Sequence, residues 1–178
     1  MEEDHTPEED ETNEQDDVWQ DPLSREFAQA KDRVTLRCIR SDFATAAGQY
    51  RALFQEFLPK VGSNEELRLE FHRRIIEEIL TLAYQKNEPF ETCQRVWDEM
   101  LQVGFSTIEC RCLMTHFFVK CCIRSAETNI GFSVLNPLIL DVERLRAEPS
   151  VTKQAATYYD DELASLHNRR ARLEAQRD

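Results

Sequence analysis

Cys112 and His116 stand four positions apart in "IECRCLMTHFFVKCCIRS", a spacing that puts a thiol and an imidazole on one face of a helix. A metal ion can use such a pair as ligands, and Cys93 on a neighbouring helix would supply a third. No Cys-x-x-Cys pair accompanies them, however. A cysteine nucleophile needs a nearby base and partial exposure, and the apolar neighbours of Cys110, Cys121 and Cys122 predict the reverse. The expectation is a set of buried thiols and a satisfied core histidine, with no catalytic constellation, no metal and no cofactor.

The charged side chains offer binding rather than catalysis. Arg73 with Glu77, and Arg74 with Glu78, have the i,i+4 spacing of ion pairs on a helix surface, where they form either a solvated face or a charged strip for a partner. "NRRARLEAQR" has the density of a nuclear-localisation or nucleic-acid patch, but Leu173 and Glu174 interrupt it. Basic residues there also suit the negative end of a helix dipole. Val18 and Trp19 form an apolar pair inside an acidic stretch, so they either fold back onto the domain or dock on another protein. Val18, Trp19, Arg73 and Arg74 are therefore the candidate partner-binding residues.

The acidic stretch is residues 1–22. It holds eleven of the 34 Asp and Glu residues and no Lys or Arg, so the remaining 23 nearly balance the 22 basic residues. A segment of one sign and low hydrophobicity buries too little apolar area to offset backbone ordering, and is expected as a disordered tail that repels nucleic acid and anionic lipid. No apolar run nears the roughly 18 residues of a membrane span, and the acidic start lacks the layout of a secretory signal or an Arg-rich presequence. The expected compartment is cytoplasmic or nuclear, where Cys38, Cys93, Cys110, Cys112, Cys121 and Cys122 would be reduced.

The elements that position these residues are helices. Phe43, Ala46, Ala47, Tyr50, Leu53, Phe54 and Phe57 share one helical face, and Phe27, Ala30, Val34 and Cys38 another, predicting helices over 24–40 and 42–58 joined by a short turn. Ser63 with Glu66 has the spacing of a capping box and opens a third helix that carries Leu67, Phe71, Ile75, Ile79 and Leu82 to Tyr84. Asn87 and Pro89 suit the start of a fourth, bearing Phe90, Cys93, Val96, Trp97, Met100 and Leu101, with Gly104 at its end. Ser106 and Glu109 repeat the capping spacing before a fifth, which is apolar on nearly every side and so the most buried. Gly131 and Pro137 predict a sixth that is short, bent or late-starting. A terminal helix within 150–176 is expected to dock through Leu163, Leu166 and Leu173.

The second helices of three hairpins would thus begin near Asp42, Phe90 and Glu127, about 48 and 37 residues apart, which is an irregular array. "LAYQKNEPFETCQRVWDEMLQVG", residues 82–104, resembles a pentatricopeptide repeat through its Ala-Tyr before the turn, Cys93 after it, Trp97, Glu99-Met100 and closing Gly104. "SDFATAAGQYRALF", residues 41–54, is similar to the second helix of a tetratricopeptide repeat. The pentatricopeptide resemblance implies single-stranded RNA read by paired residues, and the two slots fall on Glu78 and Ser106. At those slots that family favours Asn, Thr or Ser, and Asp or Asn. A carboxylate at Glu78 and a near-neutral body argue against RNA.

The sequence therefore predicts an all-α fold of about three antiparallel hairpins plus a C-terminal helix, spanning 23–178. It reads as a non-enzymatic scaffold or adaptor that binds another protein and no membrane. A pentatricopeptide-like RNA-associated protein is the alternative, and a thiol- or metal-dependent enzyme ranks third.

Overall fold

The computed structural model describes residues 21–105 and 107–177. Its fold is all-α, with seven helices among those residues: α1 Pro22–Cys38, α2 Phe43–Val61, α3 Glu65–Gln85, α4 Phe90–Val103, α5 Ile108–Arg124, α6 Thr128–Arg146 and α7 Lys153–Glu174. Val18, Trp19 and Ser106 lie outside the described residues.

Short polar side chains start most of the helices by accepting hydrogen bonds from the first-turn N–H groups that have no partner within the helix. Asp21 accepts from Leu23 N at 2.8 Å and Pro22 follows it, so α1 opens inside the compositionally acidic segment. Asp42 caps Thr45 N at 2.9 Å, and Thr152 caps Ala155 N at 3.1 Å. Two caps fall one residue later than the sequence predicts. Asn64, not Ser63, accepts from Leu67 N, and Thr107 accepts from Cys110 N. Asn87 does not cap α4: it takes φ 59°, closing the turn after α3, and Pro89 precedes the helix instead. Asn tolerates the left-handed region because its side chain bonds locally, so the same residue type suits either end of a turn.

The prolines interrupt less than expected. Pro59 lies in the last turn of α2, which runs to Val61, and Pro137 lies within an unbroken 19-residue α6. An interior proline costs about 3 kcal/mol, whereas burying a Leu, Ile or Val side chain stabilises by about 1.5–3 kcal/mol. Leu135, Leu138, Ile139 and Val142 are all buried on α6, and together they outweigh the lost backbone bond.

Contacts fix the directions of the helices. Phe27 stacks on Phe71, Lys31 pairs with Glu78, and Lys86 donates to the Ile39 carbonyl, so α1 and α3 run parallel. Tyr84 against Phe117, then His116 against Glu162 and Ile123 against Gln176, extend the parallel layer through α5 to α7. The intervening α2, α4 and α6 return antiparallel and form a second layer, bridged by Arg51 of α2 to Glu99 of α4 at 2.9 Å. Between the layers lie two apolar cores. The larger spans α1 to α5, and the smaller joins Cys112 and Val119 of α5 to Leu135, Leu138, Ile139 and Val142 of α6 and to Leu166 and Leu173 of α7. As the sequence predicts, α5 is buried on most of its circumference, because it belongs to both cores.

Candidate functional site

The residues singled out on α3 are tied into the fold. Arg73, with 14% of its side chain exposed, pairs with Glu70 and donates from Nε to the Gly104 carbonyl at 2.8 Å. Arg74 donates to the same Glu70 at 3.0 Å and lies 3.4 Å from Glu77. Glu77 accepts from the Cys110 thiol, and burial pushes its carboxyl above the usual range. Glu78 pairs with Lys31 across the α1–α3 contact. The expected Arg73–Glu77 and Arg74–Glu78 strips are thus rearranged. Packing of α5 against α3 draws Glu77 toward Cys110, and packing of α1 takes Glu78, leaving Glu70 to answer both arginines.

Cys112 and His116 share a face of α5, but Cys93 does not join them. His116 Nε2 is 2.9 Å from Glu162, and Arg169 Nε lies 2.6 Å from His116 Nδ1. These bonds assign a neutral ring that donates from Nε2 to the carboxylate and accepts at Nδ1 from the guanidinium, so its ligating lone pair is engaged. Burial keeps the imidazole below its ordinary pKa, despite the Glu162 hydrogen bond, which acts to raise it. Burial pushes the Cys112 thiol up to about 12. Cys93 sits instead against the Glu88 carbonyl and Arg124, 3.9 and 3.8 Å away, where a hydrogen bond from Cys121 draws its thiol down. Among the described residues no three metal-ligating side chains converge.

A cleft of about 570 Å³ lies where the C-terminal ends of α3, α5 and α7 meet. It is lined by Tyr84, Gln85 and Asn87 from the end of α3 and the turn after it, by Lys120, Ile123 and Arg124 of α5, and by Arg172 of α7. Lys120 lies over the Tyr84 ring at 5.1 Å and the Phe117 ring at 5.5 Å. Arg124 donates from Nη1 to Asn87 Oδ1 at 2.6 Å and from Nη2 to the Glu88 carbonyl, tying the α3–α4 turn to α5. Among the described residues no carboxylate lines the cleft, and neither Lys120, Arg124 nor Arg172 has an ion-pair partner. Burial, with repulsion from Arg169 and Arg172, holds the Lys120 ammonium below its ordinary pKa.

The segment "NRRARLEAQR" ends α7, as its sequence predicts, and its Arg169 and Arg172 lie close enough to Lys120 to repel its charge, with Arg172 lining the cleft. No local spacing marks the cleft, because its members come from three helices. Leu36 and Ile39, 71% and 60% exposed, lie at the same end of the parallel layer, with the Ile39 carbonyl 3.2 Å from Lys86 Nζ. No helix among the described residues is long and apolar enough to cross a membrane.

No protein-family model, curated protein or solved structure matches the chain.

Proposed function

We propose that this chain is a non-enzymatic α-helical scaffold or adaptor that binds another protein, gripping an acidic segment of it in the cleft between α3, α5 and α7. The observation that carries this reading is the group of cations lining the cleft, with no carboxylate among the described residues that line it, in a chain whose formal net charge is −12. Unanswered charge held on rigid helices favours an oppositely charged partner and suppresses like-charged ones. The exposed Leu36 and Ile39 at the same end supply apolar area that a folded or peptide partner covers and a nucleic-acid backbone does not need. The resemblance of residues 82–104 and 41–54 to helical-repeat proteins fits the same role, since stacked hairpins expose long binding faces.

Glu78 is compensated by Lys31 rather than presented bare, which removes one objection to RNA, but Arg73 and Arg74 on the same helix are matched by Glu70 rather than left for successive phosphates. The test is a photo-crosslinking amino acid at Gln85, an exposed cleft residue, in cells of the native source, with Lys120→Glu/Arg172→Glu as the paired variant. The expected result is a protein adduct that survives nuclease and disappears in the variant. An adduct that nuclease removes would replace the adaptor reading with the RNA one.

A further inference from the structure

We propose that the cleft is a phosphate-recognition site, and that the acidic segment it takes carries a phosphate monoester on a serine or threonine. The inference rests on the adaptor reading and adds the chemistry of the bound group.

The charge at the site decides between anions. Three helices end here, and each C-terminus carries about half a negative charge, so the backbone contributes about −1.5. Glu162, which reaches Arg169 through His116, adds one more. Against these stand Lys120, Arg124, Arg169 and Arg172. The bland reading, that basic side chains merely complement helix ends, accounts for part of this set: Arg124 and Arg172 lie in the last turns of α5 and α7, and Arg124 also satisfies carbonyl oxygens. It leaves Lys120 without a carboxylate partner among the described residues, a cation that a phosphate monoester, carrying about −1.5 to −2 at neutral pH, answers more fully than a single carboxylate.

The geometry points the same way. Lys120 and Arg172 line the cleft from different helices, α5 and α7, and among the described residues no carboxylate lines it with them. A tetrahedral group with three terminal oxygens can accept from converging donors, whereas a planar carboxylate meets them in one plane. The cleft holds far more than a phosphate alone, leaving room for the residue that bears it, and Tyr84 and Ile123 give that residue an apolar wall. A polynucleotide would need further unpaired cations beyond the cleft. Further along the layer Lys31 is matched by Glu78, and Arg73 and Arg74 by Glu70, while Lys86, next to the cleft, donates to the Ile39 carbonyl at 3.2 Å; an oligouridine probe tests whether Lys86, Arg37 and Arg40 extend the site into a track.

The experiment uses the full chain, labelled with ¹⁵N, at constant ionic strength. The probes are O-phospho-L-serine, inorganic phosphate, a short Glu-rich peptide with a central phosphoserine, the same peptide with serine, and a short oligouridine. Expected are saturable amide shifts confined to Tyr84–Asn87, Lys120–Arg124 and the neighbourhood of Arg172, from both phosphoserine probes. The phosphopeptide should bind at least about tenfold more tightly than its serine counterpart. Arg172→Glu and Lys120→Met should each weaken it by about tenfold while leaving the helical spectrum and melting temperature near the parent's. Arg170→Glu, outside the cleft, should change little. Equal binding of the two peptides would overturn phosphate recognition and leave the adaptor reading standing. Oligouridine displacing both peptides would overturn both, and delocalised or unsaturable shifts from every phosphate probe would also sink this proposal.

Discussion

The indole of Trp97 lies flat on the Phe118 ring, with centroids 4.7 Å apart and planes 5° from parallel. This contact joins α4 to α5, and Phe105 closes on the other part of the indole at 5.6 Å. Trp97 is only 4% exposed. Trp97→Ala should destabilise the protein by about 3–5 kcal/mol, since the helices on either side cannot collapse fully into the void. Urea denaturation followed by circular dichroism measures this; an unchanged midpoint would mean that the indole is not a core residue.

Glu70 serves two arginines at once. Its side chain is 11% exposed and that of Arg73 14%, so Glu70→Ala would strand a largely buried guanidinium. The expected loss is near the lower end of the roughly 3–5 kcal/mol for breaking a buried pair, because Arg74, 33% exposed, can turn to water. Glu70→Gln should cost less. Comparing the unfolding midpoints of the two variants tests whether the charge or the hydrogen bonds matter more.

Two glycines inside helices should answer alanine oppositely. At Gly48 a new Cβ meets nothing within 4 Å, so Gly48→Ala should stabilise α2 by about 0.5–1 kcal/mol. At Gly131 it would meet the two Leu173 methyl groups at 2.8 and 2.9 Å and Cys122 Cβ at 3.4 Å. Leu173 is fully buried, so overpacking of about 1–3 kcal/mol should exceed the helix gain and loosen α7. Thermal melts of both variants provide the comparison.

Stability should fall on mild acidification through His116. Its folded-state pKa is depressed by burial, while the unfolded chain takes up the proton near 6.5. Between those values the unfolded state binds more protons, so this contribution is complete above pH about 6.5 and declines as pH drops toward the folded value. Melting temperatures of parent and His116→Gln, taken from about pH 7.5 to 5.5, should converge or cross on the acid side. Glu77, raised by burial, has the opposite sign at lower pH: its contribution is full below its unfolded value and is lost as pH rises through the folded one.

The helices were legible wherever apolar residues recur at three-and-four spacing, as with Phe27, Ala30, Val34 and Cys38, because that stripe alone decides which face is buried. Boundaries were less legible, since Ser63 and Asn64 are both competent caps and only the chain path selects Asn64. The continuity of α6 through Pro137 depended on a second core that no local window reveals. The candidate site was the least legible part. Tyr84, Lys120, Arg124 and Arg172 belong to three helices, and what distinguishes their basic residues from ordinary helix ends is that no carboxylate among the described residues lines the cleft with them, which depends on tertiary packing.

The division into two cores has a consequence for vectorial synthesis. Every buried member of the larger core lies at or before Cys122, so that core can consolidate while α7 is still inside the ribosome. Leu135, Leu138, Ile139 and Val142 emerge earlier than Leu166 and Leu173, the residues that cover them. During that interval the nascent chain displays a sticky α6 on an already folded base, a window in which a chaperone would find its grip and after which the docking of α7 would release it.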